Sequence, residues 1–135
     1  MIIEKILSDT DIGINTNQSG IYVPKNKQIL SFFPTLRKVK LNPRIRLEFT
    51  DIYGEIWKLN FIFYNNKFFG GTRNEYRLTG IYKFIKSRAL KTNDVINLQK
   101  KNNKFFIHYR KTKVKIKPYT GHYDWKIVRY FNVNI

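Results

Sequence analysis

The chain has 135 residues, 42% of them hydrophobic and 16% aromatic, with 26 Lys and Arg against 9 Asp and Glu for a net charge of +17. That length suits one domain with a core of its own, and so many apolar residues exclude a disordered basic tail. Without cysteine, disulfides, thiolate catalysis and Cys-based zinc sites are excluded, and a charge excess of this size calls for a polyanionic partner.

In chain order, residues 1–7 are rich in isoleucine and predict a first strand. Glu4 breaks the short apolar run there, which rules against a signal peptide. Residues 8–20 (SDTDIGINTNQSG) are polar and predict a projecting loop. A short strand follows over 21–23, stopped by Pro24; Asn26 can cap a brief helix reaching about Phe32, and Pro34 ends it. Over 44–50 the residues alternate, with Ile45, Leu47 and Phe49 facing inward. A turn at 51–54 leads to a strand over 55–64 whose apolar face is Trp57, Leu59, Phe61 and Phe63. Asn60 interrupts the longest apolar run, so no segment predicts a membrane span, and no basic amphipathic helix is long enough to favour a membrane surface.

Residues 65–80, NNKFFGGTRNEYRLTG, are the most informative stretch. Gly70 and Gly71 permit positive φ and predict a projecting loop, while Phe68 and Phe69 are poor residues for a purely solvated tip. Arg73, Asn74 and Glu75 are side-chain types that recognise base edges: Arg matches guanine, Asn adenine, and Glu the amino group of cytosine. Glu75 has an equally plain alternative, an ion pair with Arg73 or Arg77 that shapes the loop.

A strand resumes at 76–78, and Thr79 is a suitable N-cap for a short helix over 81–87. Strands at 95–98 and 105–109 flank a hairpin turn at 101–103; alternation returns at 113–117, and a last strand covers 125–133. Seven or eight strands with two short helices predict a mostly antiparallel barrel or sandwich, and periodicity does not choose between them. Lys111, Lys113, Lys115 and Lys117 recur at period two, as either a solvated edge strand or a row of phosphate contacts.

Little in the chain points to catalysis. His108 and His122 lack ligand companions, no phosphate-loop frame surrounds Gly70-Gly71, and Asp124-Trp125-Lys126 is only a fragment of a nuclease signature. The expectation is a domain that is not an enzyme and holds no metal or cofactor. Two rivals remain: a compact metal-dependent nuclease using Asp124 and Lys126, and an RNA- or single-strand-binding β-barrel stacking bases on Phe68 and Phe69.

Two segments together resemble the B3-type DNA-binding domain of restriction systems, found at the EcoRII N-terminus and the BfiI C-terminus and more distantly in plant transcription factors. The first is LSDTDIGINTNQSGIYVPK, residues 7–25; the second, residues 57–94, carries W-x-x-x-F-x-x-Y, then RNEYRLTG, a helix and L-x-x-x-D. The resemblance implies a mostly β fold, a seven-stranded open β-pseudobarrel with two short helices, and two arms gripping the major groove of double-stranded DNA. Carried over by position, the N-arm spans 14–19 and offers Asn15, Thr16, Asn17, Gln18 and Ser19, with Lys25 behind it. The C-arm spans 65–77 and offers Asn65, Asn66, Lys67, Thr72, Arg73, Asn74, Glu75, Tyr76 and Arg77. Restriction members often have His-Gln where this chain has Asn17-Gln18, so the base met by Asn17 is open while Gln18 keeps its bidentate capacity. The resemblance also implies a single monomeric domain, 1–135, in a prokaryotic cytoplasm, serving as the recognition module of a larger restriction protein. Its companion would be a nuclease or AAA+ motor, fused or associated.

Overall fold

The computed structural model describes residues 1–13, 20–112 and 125–129. The N-arm residues Asn15, Thr16, Asn17, Gln18 and Ser19 lie outside the described residues, as do the expected strand at 113–117, His122, Asp124 and the end of the last expected strand.

Among the described residues eight strands form one sheet: β1 (Ile2–Ile6), β2 (Ile21–Val23), β3 (Arg44–Thr50), β4 (Ile56–Tyr64), β5 (Glu75–Thr79), β6 (Val95–Lys101), β7 (Lys104–Arg110) and β8 (Trp125–Val128). The order across it is β2-β5-β4-β3-β7-β6-β1-β8, antiparallel except where Phe49 and Thr50 of β3 run beside Phe105 and Phe106 of β7. That is one strand more than the seven the resemblance implies and within the seven or eight that alternation predicts; the four-residue β8 pairs along β1 from Ile2↔Val128 to Lys5↔Trp125. The sheet curls into a nearly closed barrel whose two edge strands are β2 and β8. A side chain bridges that seam: Trp125 Nε1 donates to the Tyr22 carbonyl at 2.9 Å. The hairpin between β6 and β7 turns through Asn102 and Asn103, both at positive φ, as two-residue turns of this type require.

Two short helices plug the barrel. In α1 (Lys27–Leu30) the Asn26 side chain accepts from the Gln28 and Ile29 amides, the cap expected from sequence. In α2 (Tyr82–Ser87) Phe84 and Ile85 face the core, but no side chain caps the helix. Thr79, expected there, is the last residue of β5, paired with Asn60; the following Gly80 makes the turn at φ +85°.

Along β4, Leu59, Phe61 and Phe63 are buried as alternation predicts, and Ile62 is buried as well. On β3 Leu47 and Phe49 are buried, whereas Ile45 remains exposed. The core contains a ladder of rings. Phe33 stacks on Phe61 (4.3 Å between centroids), Phe61 on Tyr76 (5.4 Å), and Tyr76 on Phe63 (4.4 Å). This ladder leads from α1 outward to the mouth of the β4–β5 connection, where the side chains of interest gather.

Candidate nucleic-acid interface

The β4–β5 connection is a braced loop. A 3-10 turn (Asn66–Phe69) ends on Gly70 at φ +93°, and the Asn66 carbonyl accepts from the Gly71 amide at 2.7 Å. The Asn66 side chain accepts from the Arg73 amide at 2.6 Å, while the Lys67 amide donates to the Arg73 carbonyl at 2.9 Å. A Cβ on residue 71 would lie 2.7 Å from Asn66 Cγ, so glycine is what lets the loop close on that side chain. With its backbone bonded internally, the loop is preorganised and directs Lys67, Phe68, Phe69 and Thr72 to solvent.

Asn65 has a different role from the one expected. It is buried, its Oδ1 accepts from the Asn42 amide at 2.7 Å, and its Nδ2 donates to the Lys38 and Lys40 carbonyls at 3.3 and 2.6 Å. Every polar group of its amide is used in pinning residues 38–42 beneath the loop, leaving none for a ligand. Tyr76 is likewise buried in the ring ladder, so it supports the surface from below.

Arg73, Glu75 and Arg77 form one network. The Arg73 Nε and Nη2 donate to Glu75 Oε1 at 3.1 and 3.0 Å, and Arg77 Nη2 donates to Oε2 at 3.3 Å. Arg73 lies over Tyr64, its guanidinium carbon 3.7 Å from the ring centroid. Burial pushes the Glu75 carboxyl up, but the Arg73 hydrogen bond and the Arg77 charge outweigh it and hold the pKa below its ordinary value. The carboxylate is therefore ionised at neutral pH, and it holds both arginines in fixed poses. Thus the ion-pair alternative for Glu75 is what the free protein adopts.

Arg77 also reaches across to β2, its Nη1 donating to the Gly20 carbonyl at 3.1 Å. Gly20 is where the N-arm ends. It has φ +90°, and a Cβ there would stand 2.4 Å from the Leu78 carbonyl, so no other residue fits. At the other root of that arm, Asp11 Oδ2 accepts from the Ser8 amide at 2.9 Å and from the fully buried Lys5 at 2.8 Å. The residues flanking 14–19 and the β4–β5 loop are thus internally bonded, and Arg73–Glu75–Arg77–Gly20 links the loop to Gly20.

Residues 1–95 match the family model described as "Restriction endonuclease EcoRII, N-terminal". The chain belongs to this family. No curated protein matches the sequence. Among solved structures, the "Arabidopsis FUS3-DNA complex" aligns with a TM-score of 0.61 at 18% identity, over 82% of this chain and 96% of that one. At that identity the likeness is one of fold: this member of the EcoRII N-terminal family has the B3-like barrel.

Three parts of this surface escape a reading of the sequence. Tyr64 is the last residue of a strand, with no local sign that an arginine nine residues later lies on its ring. Lys38 comes from the irregular segment before β3 and stands 5.3 Å from the centroid of Phe63. The tie from Arg77 to Gly20 spans 57 residues and exists only because β2 pairs with β5. Among the described residues no group of three His, Asp or Glu side chains is placed to hold a metal ion. No helix among them is long and apolar enough to cross a membrane.

Proposed function

We propose that this chain is a sequence-specific double-stranded DNA-binding domain that uses its two arms in the major groove, without catalysis of its own. In this reading it recognises a target or effector site for a restriction endonuclease system, as the recognition module of a larger protein with a nuclease or AAA+ motor. The observation that carries the reading is the Arg73–Glu75–Arg77–Gly20 network, which joins the roots of the two arms. Gly20 sits opposite Thr79, while the C-arm loop enters β5 at Glu75. One five-residue strand, four residue steps, therefore separates the roots, about 14 Å at 3.4 Å per residue, comparable with a major groove about 12 Å wide. Family membership supports the reading, as does a fold shared with a domain whose structure is titled a DNA complex.

Roles then divide by chemistry. Lys25, Lys67 and part of the +17 excess neutralise phosphates. Thr72, Arg73 and Asn74, with Asn15, Thr16, Asn17, Gln18 and Ser19 of the N-arm, meet base edges. Asn65, Asn66 and Tyr76 hold the C-arm in shape. Selection from a random duplex library, followed by affinity against salt, tests this. A single enriched site and a slope corresponding to about 5–8 neutralised phosphates are expected. No enrichment, or a slope near zero, refutes it. The exposed Phe68 and Phe69 favour one rival, stacking on single-stranded bases, so single strands and double-stranded RNA belong in the competition.

A further inference from the structure

Beside the C-arm loop lies a cleft of about 500 Å³, lined by Phe63, Phe68, Tyr76, Lys25, Lys38 and Asn74. It stands where the ring ladder Phe33–Phe61–Tyr76–Phe63 reaches the surface. Over Phe63 stand the ammonium groups of Lys38 and Lys25, 5.3 and 6.0 Å from its centroid. At those distances the cations are near the outer limit of attraction to a ring, so two flexible side chains cover Phe63 loosely. Phe68 is 70% exposed and walls the cleft; Phe69, 54% exposed, projects from the same braced turn. Two adjacent phenyl groups presented to water from a rigid turn form an apolar patch of the kind that marks an interaction site.

Rings to stack on, an amide to bind a polar edge and two cations suited to phosphate are together the chemistry of one nucleotide. The volume lies within the range of pockets for small ligands, about 300–1,000 Å³. We propose that this cleft receives a single nucleobase turned out of the bound duplex. The base extends the ladder at Phe63 and packs against Phe68, and Asn74 bonds its edge. Lys25 and Lys38 swing from the ring to the adjoining phosphates, and Phe69 fills the place the base has left in the stack. The inference rests on the duplex-binding reading and goes beyond groove contact: the C-arm opens one base pair.

The test places 2-aminopurine at each position of the selected site in turn and measures its emission with saturating protein. In parallel, a mismatch is introduced at each position, which lowers the cost of opening that pair. One position is expected to brighten several-fold, or to bind about tenfold more tightly when mismatched, as the opening cost disappears. Phe69→Ala and Lys38→Ala, both at exposed positions, should each abolish that response. A duplex bound with sequence preference, yet with neither brightening nor mismatch gain anywhere, overturns the base-capture inference and leaves the duplex-binding reading standing. No sequence preference for any duplex overturns both. Saturable binding of free deoxynucleoside monophosphates that Lys38→Ala removes, without a response on duplex, would assign the cleft to free nucleotides and also overturn the proposal.

Discussion

Replacing Glu75 with Ala removes the carboxylate that orients both C-arm arginines, and its consequences separate recognition from attraction. In the free protein Glu75 accepts three hydrogen bonds, two from Arg73 and one from Arg77. The Arg73 side chain is 34% exposed, so its half of the network adds little stability, about 0–1 kcal/mol. Arg77 is 17% exposed and keeps only the Gly20 carbonyl and the Tyr22 ring once Glu75 is gone, so a total loss of about 1–2 kcal/mol is expected. On DNA the effects run in opposite directions. Removing one negative charge near phosphates about 7 Å away favours every duplex by about 0.5–1 kcal/mol at water-like screening. Releasing Arg73 from its fixed pose costs the selected site about 1–3 kcal/mol of discrimination, or about 5- to 150-fold. Fluorescence anisotropy with selected and scrambled duplexes at one salt concentration measures both, and urea unfolding measures the stability term. Glu75→Ala should bind scrambled duplex as well as or better than wild type, while its preference for the selected site shrinks. Equal shifts on both duplexes would mean that Glu75 does not orient Arg73 for recognition and would leave the C-arm as an anchor alone.

Phe61→Ala removes the middle ring of the ladder from a site 1% exposed and should cost about 3–5 kcal/mol by denaturant unfolding; less than about 1 kcal/mol would deny that it is core. Trp125→Phe deletes the seam bond to the Tyr22 carbonyl and should cost about 0.5–1.5 kcal/mol, with faster amide exchange in β2 and β8; unchanged exchange would mean the seam closes without it. Glu4, Asp51 and Glu75 all have pKa values held below the ordinary range, because hydrogen bonds and nearby arginines outweigh the upward push of burial. A depressed folded pKa stabilises above the unfolded value and is lost as pH falls through the folded one. Urea midpoints should therefore hold from pH 7 to about 5 and drop below about 4, less steeply in Glu75→Gln; a rise on acidification would contradict the network. Incubation with magnesium or manganese should leave duplex intact, and cleavage abolished by Asp124→Ala would promote the nuclease rival.

Local signals made most of the barrel legible. Asn26 caps α1 because its side chain reaches amides two and three residues ahead, and the alternation in β4 marks the face that becomes the ring ladder. Where local and long-range demands conflict, local reasoning fails. Thr79 is a good N-cap by type, but pairing with Asn60 keeps it extended and leaves Gly80 to turn the chain. Asn65 has the chemistry of a base reader and belongs to the segment where such residues gather. Its amide instead holds carbonyls 25 and 27 residues away, a use no local pattern discloses.

The same distinction bears on how the C-arm can discriminate at all. Arginine on a free loop would bind phosphate wherever it met it, since Coulomb attraction has little directionality at water-like screening. Here the Arg73 guanidinium lies over Tyr64 and is bonded through two nitrogens to Glu75, while its backbone amide donates to the Asn66 side chain. A guanidinium fixed in this way loses conformational freedom before DNA arrives, and its fork can satisfy a guanine edge only in one register. On the proposed reading Glu75 would oppose binding by its charge and favour selectivity by its geometry. In a chain carrying +17, affinity for duplex is abundant, and orientation is the scarcer quantity. On that reading the Glu75 carboxylate, bonded to Arg73 and Arg77, would supply it.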